Sequence, residues 1–425
     1  MSSLVNKLYH NRRIRILFLG SGLFLLVVLC WPINRPNYAY STIVNDAKGS
    51  LLSASVASDG QWRFPKPDSI PEKIETCVRY FEDEYFYWHP GVNPISLLRA
   101  TWQNARSGKI VSGASTINMQ IARMIGQNRR TLPNKIAEII IALKLELLYS
   151  KNDLMIEYLS MAPFGGNVVG LEAASWRYYG RPPHLLSWSE SATLAVLPNN
   201  PGSIFPGTKD SLLIEKRNRL LDKLHKKGVI SKQTWELALL EPLPNAPLSL
   251  PNKAGHLLTT FAKSNEGKRL QSTLDPYWQS RVSDLTERHH GLMMDNGVEN
   301  IAAMVIDLKS GEVLAYKGNT NDTHADGQQV DIIQSKRSPG SSLKPLLFAS
   351  ALDKGLINRR TLLPDVPTFF GGFSPKNFNY GYSGVVPANE ALSRSLNIPM
   401  VHLLNEHTYE QFHQDLKDWG ITTLD

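Results

Sequence analysis

KIAEIIIALKLELLY, Lys135 to Tyr149, is the stretch on which the fold turns. Its apolar residues run nearly all the way round a 3.6-residue period, the pattern of a helix buried within a helical domain. Glu138 inside such a run is costly, because a carboxylate taken out of water needs a charged or hydrogen-bonded partner. Lys135 stands one turn earlier on the same face and can supply one. The pair has two readings, an ion pair that only stabilises the helix and a carboxylate of tuned pKa that belongs to a cleft.

Working outward, helical periodicity governs the region around that stretch. Ser69 can cap a helix with Pro71 in its first turn and Ile74, Val78 and Phe81 on its apolar face. Further helices are expected at Ile95 to Asn104, Ser115 to Ile125, Asp153 to Met161, Leu185 to Ala195 and Ile214 to Lys226. Before this block, Tyr38 to Gln61 alternates polar and apolar residues around a turn at Asp46 to Gly49 and reads as a hairpin. After it, the prolines between Pro242 and Pro251 read as a linker, and the pattern changes to strands. Ile301 to Tyr316 reads as two β runs around Lys309-Ser310-Gly311, with a helix expected after Ser341.

The N-terminus reads as a membrane anchor. Ile16 to Trp31 carries no charge and follows Lys7, Arg12, Arg13 and Arg15. As a helix this core is about 24 Å long against a hydrocarbon layer of about 30 Å; a snorkelling Arg15 and Pro32-Ile33 extend it. The cationic flank belongs in the cytoplasm, which places the rest of the chain outside. A cleaved signal peptide is the rival, but Pro32 to Ser41 lacks a good small-x-small site. The formal charge of +8 suits an anionic partner, whether phospholipid headgroups or a pyrophosphate. Its cations are scattered rather than striped with aromatics, so nucleic acid is not expected. Cys30 and Cys77 sit in unlike surroundings, so no disulfide is expected between them.

Two more segments of the helical block are chemically unusual. EDEYFYWHPG, Glu82 to Gly91, puts acids directly after an amphipathic helix and ends in aromatics, a histidine and a turn. SGASTINMQIARMI, Ser112 to Ile125, is a glycine loop leading into a Ser115-Thr116 helix start, where amides and hydroxyls can hold an anion or a sugar, with Arg123 two turns on. On local grounds exposed acids are the plainer reading of the first segment, and a plain capped helix explains the second equally well.

Taken in order, EDEYF with its HPG, GASTINMQ, the KIAE helix, KNDLMIEYLSMAPFGG (Lys151 to Gly166) and AASWRYYG (Ala173 to Gly180) resemble the glycosyltransferase module of the class A penicillin-binding proteins, a lysozyme-like helical fold. The resemblance implies that Glu82 is the general base, which deprotonates the 4-hydroxyl of an acceptor sugar for attack on a lipid-linked donor. It puts Glu138 at the second carboxylate position on the donor side, acting directly or through a divalent cation, Mg or Mn. It places Arg123 and Lys135 as pyrophosphate-binding cations, Ser115, Thr116 and Gln120 as the polar loop, and Asp83, Phe86 and His89 in the first motif, with His89 structural. No metal ligand is assigned. The chain departs from the family at Asn134 and Ile156, where Arg and Glu are usual, and at Ala114 and Ser160, where Gly and Asn are usual.

A second constellation follows. RSPGSSLKP, Arg337 to Pro345, sets Ser341 at a helix start with Lys344 one turn later, able to take the hydroxyl proton. Ser395-Leu396-Asn397 offers the Ser-x-Asn element that shuttles a proton and holds substrate amides. With TLDPYWQ from Thr273 and SPKNFN from Ser374, this resembles the start of the family's transpeptidase domain. The third element, Lys-Thr/Ser-Gly on a later strand, is absent after Asn397, and Lys309-Ser310-Gly311 lies too early to serve.

The expected organisation is therefore a multidomain α and α+β chain: a basic cytoplasmic segment at 1–15, a transmembrane helix at 16–33, a β connector at 34–60, a mainly α glycosyltransferase domain at 61–240, a linker at 241–295 and an incomplete α+β transpeptidase domain at 296–425. The expected partners are lipid II, the growing lipid-linked glycan, the bacterial inner membrane and other cell-wall proteins. Two alternatives are kept, a non-catalytic scaffold of the cell-wall machinery and a lysozyme-like hydrolase with paired carboxylates.

Overall fold

The computed structural model describes residues 20, 22–23, 25–33, 35–107, 115–126, 131–320 and 327–423. The basic segment at 1–15, the start of the expected span and Ala114 lie outside the described residues. Among the described residues no helix is long and apolar enough to cross a membrane. The chain divides into two compact units, Met1–Ile333 and Gln334–Asp425.

In the first unit, β1 (Ile43–Asn45) and β2 (Leu51–Ala54) form the expected hairpin. Asp46 fixes its turn by accepting the backbone N–H groups of Lys48 and Ser50 at 2.8 and 2.9 Å. A short β3 (Trp62–Arg63) leads to α1 (Glu72–Glu82). That helix starts behind Pro71 with no side-chain cap, so Ser69 does not cap it; the proline ring alone holds the entry at φ −64°. The helical block continues as α2 (Pro94–Ser107), α3 (Ile117–Gly126), α4 (Leu132–Leu148), α5 (Lys151–Met161), α6 (Leu171–Tyr179), α7 (Trp188–Val196), α8 (Asp210–Lys226) and α9 (Lys232–Leu240). Between α5 and α6, β4 (Pro163–Gly165) and β5 (Val168–Val169) join β3 in a small sheet. Capping boxes set two starts, Ser150 with Asp153 for α5 and Ser187 with Glu190 for α7. The second puts the start of α7 at Trp188, behind a 3-10 turn at Pro183–Leu185, rather than at Leu185.

The core joins α1, α3, α4 and α5 through Ile74, Val78, Ile117, Ile121, Leu145 and Leu154. The Lys135 to Tyr149 helix is not buried all round, as its composition suggested. Glu138, Ile141, Ala142 and Leu145 face inward, while Ile136, Leu147 and Leu148 are exposed. Apolar composition fixes that a surface avoids water; it does not fix which neighbour covers it.

The stretch expected as a linker is folded into this unit. It carries α10 (Gly255–Ala262), β6 (Arg269–Gln271) and α11 (Pro276–Met293), and β6 pairs in parallel with β1. Val44, Leu52, Leu257, Leu258, Leu274 and Tyr316 share one apolar cluster, which also draws in the hairpin β7 (Ala303–Ile306) and β8 (Val313–Lys317). The boundary between compact units falls at Ile333/Gln334. Lys309-Ser310-Gly311 forms the β7–β8 turn, with Gly311 at φ 75°.

The second unit packs α12 (Lys344–Asp353), a β9 (Leu362–Asp365) and β10 (Gly384–Pro387) pair, α13 (Ala388–Ser393), α14 (Asn397–His407) and α15 (Tyr409–Asp418). Leu347, Phe348, Leu363, Val386, Leu403 and Phe412 make its core. A buried polar latch ties three of its helices. Ser350 Oγ bonds His407 Nε2 at 2.7 Å, and Asp415 accepts from Ser350 and Lys354, each at 2.6 Å.

Gly91, which ends the HPG turn, stands at φ +84°, and a Cβ there would lie 2.5 Å from the carbonyl oxygen of Ala142. Gly91→Ala is expected to cost about 2–5 kcal/mol, combining left-handed backbone strain with overpacking. Gly49→Ala, at φ +83° with nothing within 4 Å, isolates the backbone contribution. Urea denaturation of the two variants checks this, and equal losses would show that the Gly91–Ala142 approach is not tight.

Candidate active site

Glu82 closes α1, and Asp83 turns the chain out of it. Asp83 is buried; its carboxylate accepts from His89 Nε2 at 2.9 Å and from the Ile117 backbone N–H at 3.2 Å. Because Ile117 opens α3, the acid also meets the positive end of that helix. Thr116 caps the same end, donating to the Gly91 carbonyl at 2.7 Å and accepting from the Met119 N–H at 3.3 Å. Phe86 is fully buried, with Lys151 Nζ 4.5 Å from its ring centre. Lys151 also donates to the His89 carbonyl and to Glu146, at 2.9 and 2.8 Å. Asp83, Phe86, His89 and Thr116 are therefore all bonded or packed within the fold.

Glu82 itself is held on one side only. Its Oε2 accepts from Gln120 Nε2 at 2.6 Å, while its Oε1 is buried and without a partner among the described residues. Burial pushes the Glu82 pKa above the ordinary carboxylate value; the Gln120 bond opposes this, the charge of Asp83 reinforces it, and Lys216 and Arg123 oppose it. A buried, unsatisfied carboxylate oxygen is a place for a ligand hydroxyl.

The second acid sits in the opposite environment. Glu138 is 2% exposed, and Arg123 grips it with both ends of its fork, Nε to Oε1 at 2.8 Å and Nη2 to Oε2 at 3.0 Å. Lys135, the partner expected from the sequence, adds a bond at 3.2 Å and donates to Ser115 Oγ at 2.7 Å. Burial alone would raise the Glu138 pKa, but the bond from Arg123 and the charges of Lys135 and Arg123 bring it below the usual value. The cluster of Arg123, Lys135 and Glu138 carries one net positive charge beside the Ser115 hydroxyl. Both Glu138 oxygens are already taken by cations, and like charges crowd the position, so these residues do not fit a divalent ion bound through Glu138.

Reading the sequence missed three features here. Arg123, on another helix and 15 residues away, is the main partner of Glu138. Tyr158 of α5 reaches Gln120 Oε1 through its hydroxyl at 3.5 Å. Lys216 of α8 contributes charge at Glu82 and donates to Asn199 at 2.8 Å. None has a local signal, since each is a meeting of helices far apart in the chain.

In the second unit, Ser341 is exposed in a 3-10 turn, Gly340–Leu343, just ahead of α12. Lys344 directs its ammonium to the Ser395 carbonyl at 2.6 Å, to Ser395 Oγ at 3.2 Å and to Asn397 Oδ1 at 2.6 Å. Burial lowers the Lys344 pKa, as suits a proton acceptor. Ser395 holds a left-handed φ of 54°, a strained geometry typical of functional turns. Asn377, from SPKNFN, is the buried brace of that turn: its Oδ1 accepts from the Asn397 N–H at 2.9 Å and its Nδ2 donates to Asp365 at 2.7 Å.

A helical domain with two carboxylates in contrasting environments, followed by a Ser-x-x-Lys and Ser-x-Asn site, defines the transglycosylase and penicillin-binding class. A transglycosylase family profile matches residues 49–225, and a penicillin-binding protein transpeptidase domain profile matches 301–424. The chain belongs to the class A penicillin-binding proteins. It is similar to Penicillin-binding protein 1C of Escherichia coli (strain K12), 36% identical over 415 residues, 95% of this chain and 53% of that protein. It is also similar to Penicillin-binding protein 1F of Bacillus subtilis (strain 168), 30% identical over 84% of this chain and 52% of that protein. The crystal structure of Penicillin-Binding Protein 1A from Haemophilus influenzae aligns with 91% of this chain and 64% of that chain, at 16% identity and a TM-score of 0.40. The chain spans about half the length of the curated relatives it matches.

Removing the Asp83 carboxylate should loosen the whole arrangement. Asp83→Ala is expected to cost about 2–4 kcal/mol, from two lost hydrogen bonds to a charged acceptor at about 1.5–3 kcal/mol each, less some relaxation. Urea unfolding followed by tryptophan fluorescence measures it; a loss below about 1 kcal/mol would show that His89 and α3 find other partners.

Proposed function

We propose that the first unit is a peptidoglycan glycosyltransferase that polymerises lipid II at the membrane surface, with Glu82 as its general base. The observation that carries this reading is the half-paired Glu82 carboxylate, one oxygen fixed by Gln120 and the other buried and open to a ligand. Oε1 takes the proton of the acceptor sugar's 4-hydroxyl as that oxygen attacks the anomeric carbon of the lipid-linked donor. The bond from that carbon to the pyrophosphate breaks, undecaprenyl pyrophosphate leaves, and the anomeric centre inverts. Charge arriving on the leaving group needs cations. Arg123 and Lys135 supply them, and Glu138 acts by holding both in place. Asp83, Phe86, His89 and Thr116 act as the frame of the site, while Ser115 and Gln120 face it. No step requires a metal ion.

The membrane reading rests on the uncharged run Ile16 to Trp31 and on exposed apolar side chains. Ile95, Leu98 and Trp102 of α2 lie at i, i+3 and i+7 and are 79%, 73% and 62% exposed. Ile136, Leu147 and Leu148 of α4 are exposed as well, and Lys144 of the same helix donates to the carbonyls of Leu29 and Trp31 at the end of the apolar run. We place the protein in the bacterial inner membrane, with its N-terminus cytoplasmic and its catalytic units outside, among other cell-wall proteins. For the second unit, these 425 residues hold the Ser341, Lys344, Ser395 and Asn397 set but no Lys-Thr/Ser-Gly element after Asn397.

Glu82→Gln is expected to abolish polymerisation of lipid II while leaving the melting temperature unchanged; more than a tenth of wild-type activity would remove Glu82 from the role. Since a base works only when deprotonated and burial raises the Glu82 pKa above 4.5, wild-type kcat/KM should fall on the acid side with a midpoint above that value. A pH–rate profile with its acid midpoint at or below 4.5 would contradict the assignment.

A further inference from the structure

Gln120 bonds Glu82 on one side, and its other side is occupied by a residue that the catalytic reading leaves idle. Tyr158 is 1% exposed, and its hydroxyl donates to Gln120 Oε1 at 3.5 Å. The two bonds form a chain across three helices, from Tyr158 on α5 through Gln120 on α3 to Glu82 at the end of α1. We propose that Tyr158 is a positioning residue for glycosyl transfer, acting through the Gln120 amide to keep its N–H donor aimed at Glu82.

The argument is one of polarity. An amide side chain has a donor end and an acceptor end of nearly the same shape, and it turns over unless its partners differ. The Tyr158 hydroxyl offers Gln120 a hydrogen, so Oε1 faces α5 and Nε2 faces the carboxylate. Reversed, Oε1 would meet the Glu82 carboxylate and the bond at 2.6 Å would become a repulsion. Tyr158 also stays a donor, because burial and the charge of Glu82 raise its pKa well above 10. The charged groups acting on Glu82 are Asp83 beside it, Lys216 on α8 and Arg123 on α3. Each acts at a distance, whereas Gln120 donates directly to the carboxylate.

Without the hydroxyl, the Oε1 end of the amide loses its anchor on α5, the Nε2–H donor swings off the carboxylate for part of the time, and the Glu82 carboxyl holds its proton more tightly. Tyr158→Phe should therefore lower kcat several-fold, leave KM unchanged and move the acid limb of the rate profile upward. The inference rests on Glu82 being the base, so the deciding experiment reads Glu82 without turnover. The full chain in detergent, with glutamate side chains labelled with carbon-13, is titrated by NMR, and the Glu82 signal is assigned by its absence in Glu82→Gln. The expected result is an upward shift of the Glu82 titration in Tyr158→Phe by about half a unit or more, a three-fold change in proton affinity. Gln120→Met, which leaves Tyr158 in place, should raise it at least as far, and Tyr158→Phe added to Gln120→Met should change nothing further. An unmoved titration in Tyr158→Phe overturns the proposal, as does an equal shift in the Gln120→Met background. If Tyr158→Phe does not fold, an unmoved Glu82 titration in Gln120→Met overturns it. A shift in the titration together with full polymerisation by Glu82→Gln would sink the base assignment instead and leave the Tyr158 chain standing.

Discussion

The buried carboxylate of Asp83 is the contact on which the first unit's site depends. It joins the end of α1 to the start of α3, taking one hydrogen bond from the His89 ring and one from the Ile117 amide. An acid without water must find such donors, and here they come from a turn and a helix end that would otherwise leave a backbone N–H unsatisfied. Once α3 is fixed at that point, the rest follows from helical spacing. Gln120 falls one turn further on and reaches Glu82, and Arg123 falls one turn beyond that and reaches Glu138. One helix thus serves both carboxylates.

The two acids are driven apart by what surrounds them. Glu82 is half-buried with an amide donor and an oxygen unpaired among the described residues, and its proton affinity rises; Glu138 is buried between two cations, and its proton affinity falls. A pair of carboxylates split in this way is how a fold separates a group that must accept a proton at neutral pH from one that must stay charged. The cost of burying Glu138 is offset by Arg123 and Lys135, which pair with it from two sides. The same logic explains why the fork of Arg123 cannot be replaced by a lysine without changing the site. Its two parallel bonds fix direction as well as charge.

Much of this was legible from residues alone. The pairing of Lys135 with Glu138 one turn later is as the helix spacing implied, and Lys344 reaches Ser395 and Asn397. What escaped was everything set by distant pairing. The parallel join of β6 to β1 drew a stretch that read as a proline-rich linker into the first unit, because strand pairing over more than 200 residues leaves no local trace. Pro71 rather than Ser69 starts α1, since a proline ring can hold a helix entry without any side-chain bond. The outward face of α4 read as core, because Ile136, Leu147 and Leu148 are written in the same letters whether or not another helix lies against them. Asn377 and Tyr158 carried no expectation, for a bracing residue is visible only beside what it braces.

The central claim is that the first unit transfers a sugar to a sugar rather than to water. Purified chain in detergent, supplied with lipid II, can be sampled over time and its products separated by size with and without digestion by a muramidase. The account predicts long glycans that keep their lipid tail, with release of undecaprenyl pyrophosphate and no early short saccharides. Free di- or tetrasaccharides without a lipid would mean hydrolysis, and unchanged lipid II with a correctly folded chain would mean that the site is a frame without a reaction; either result would contradict the account.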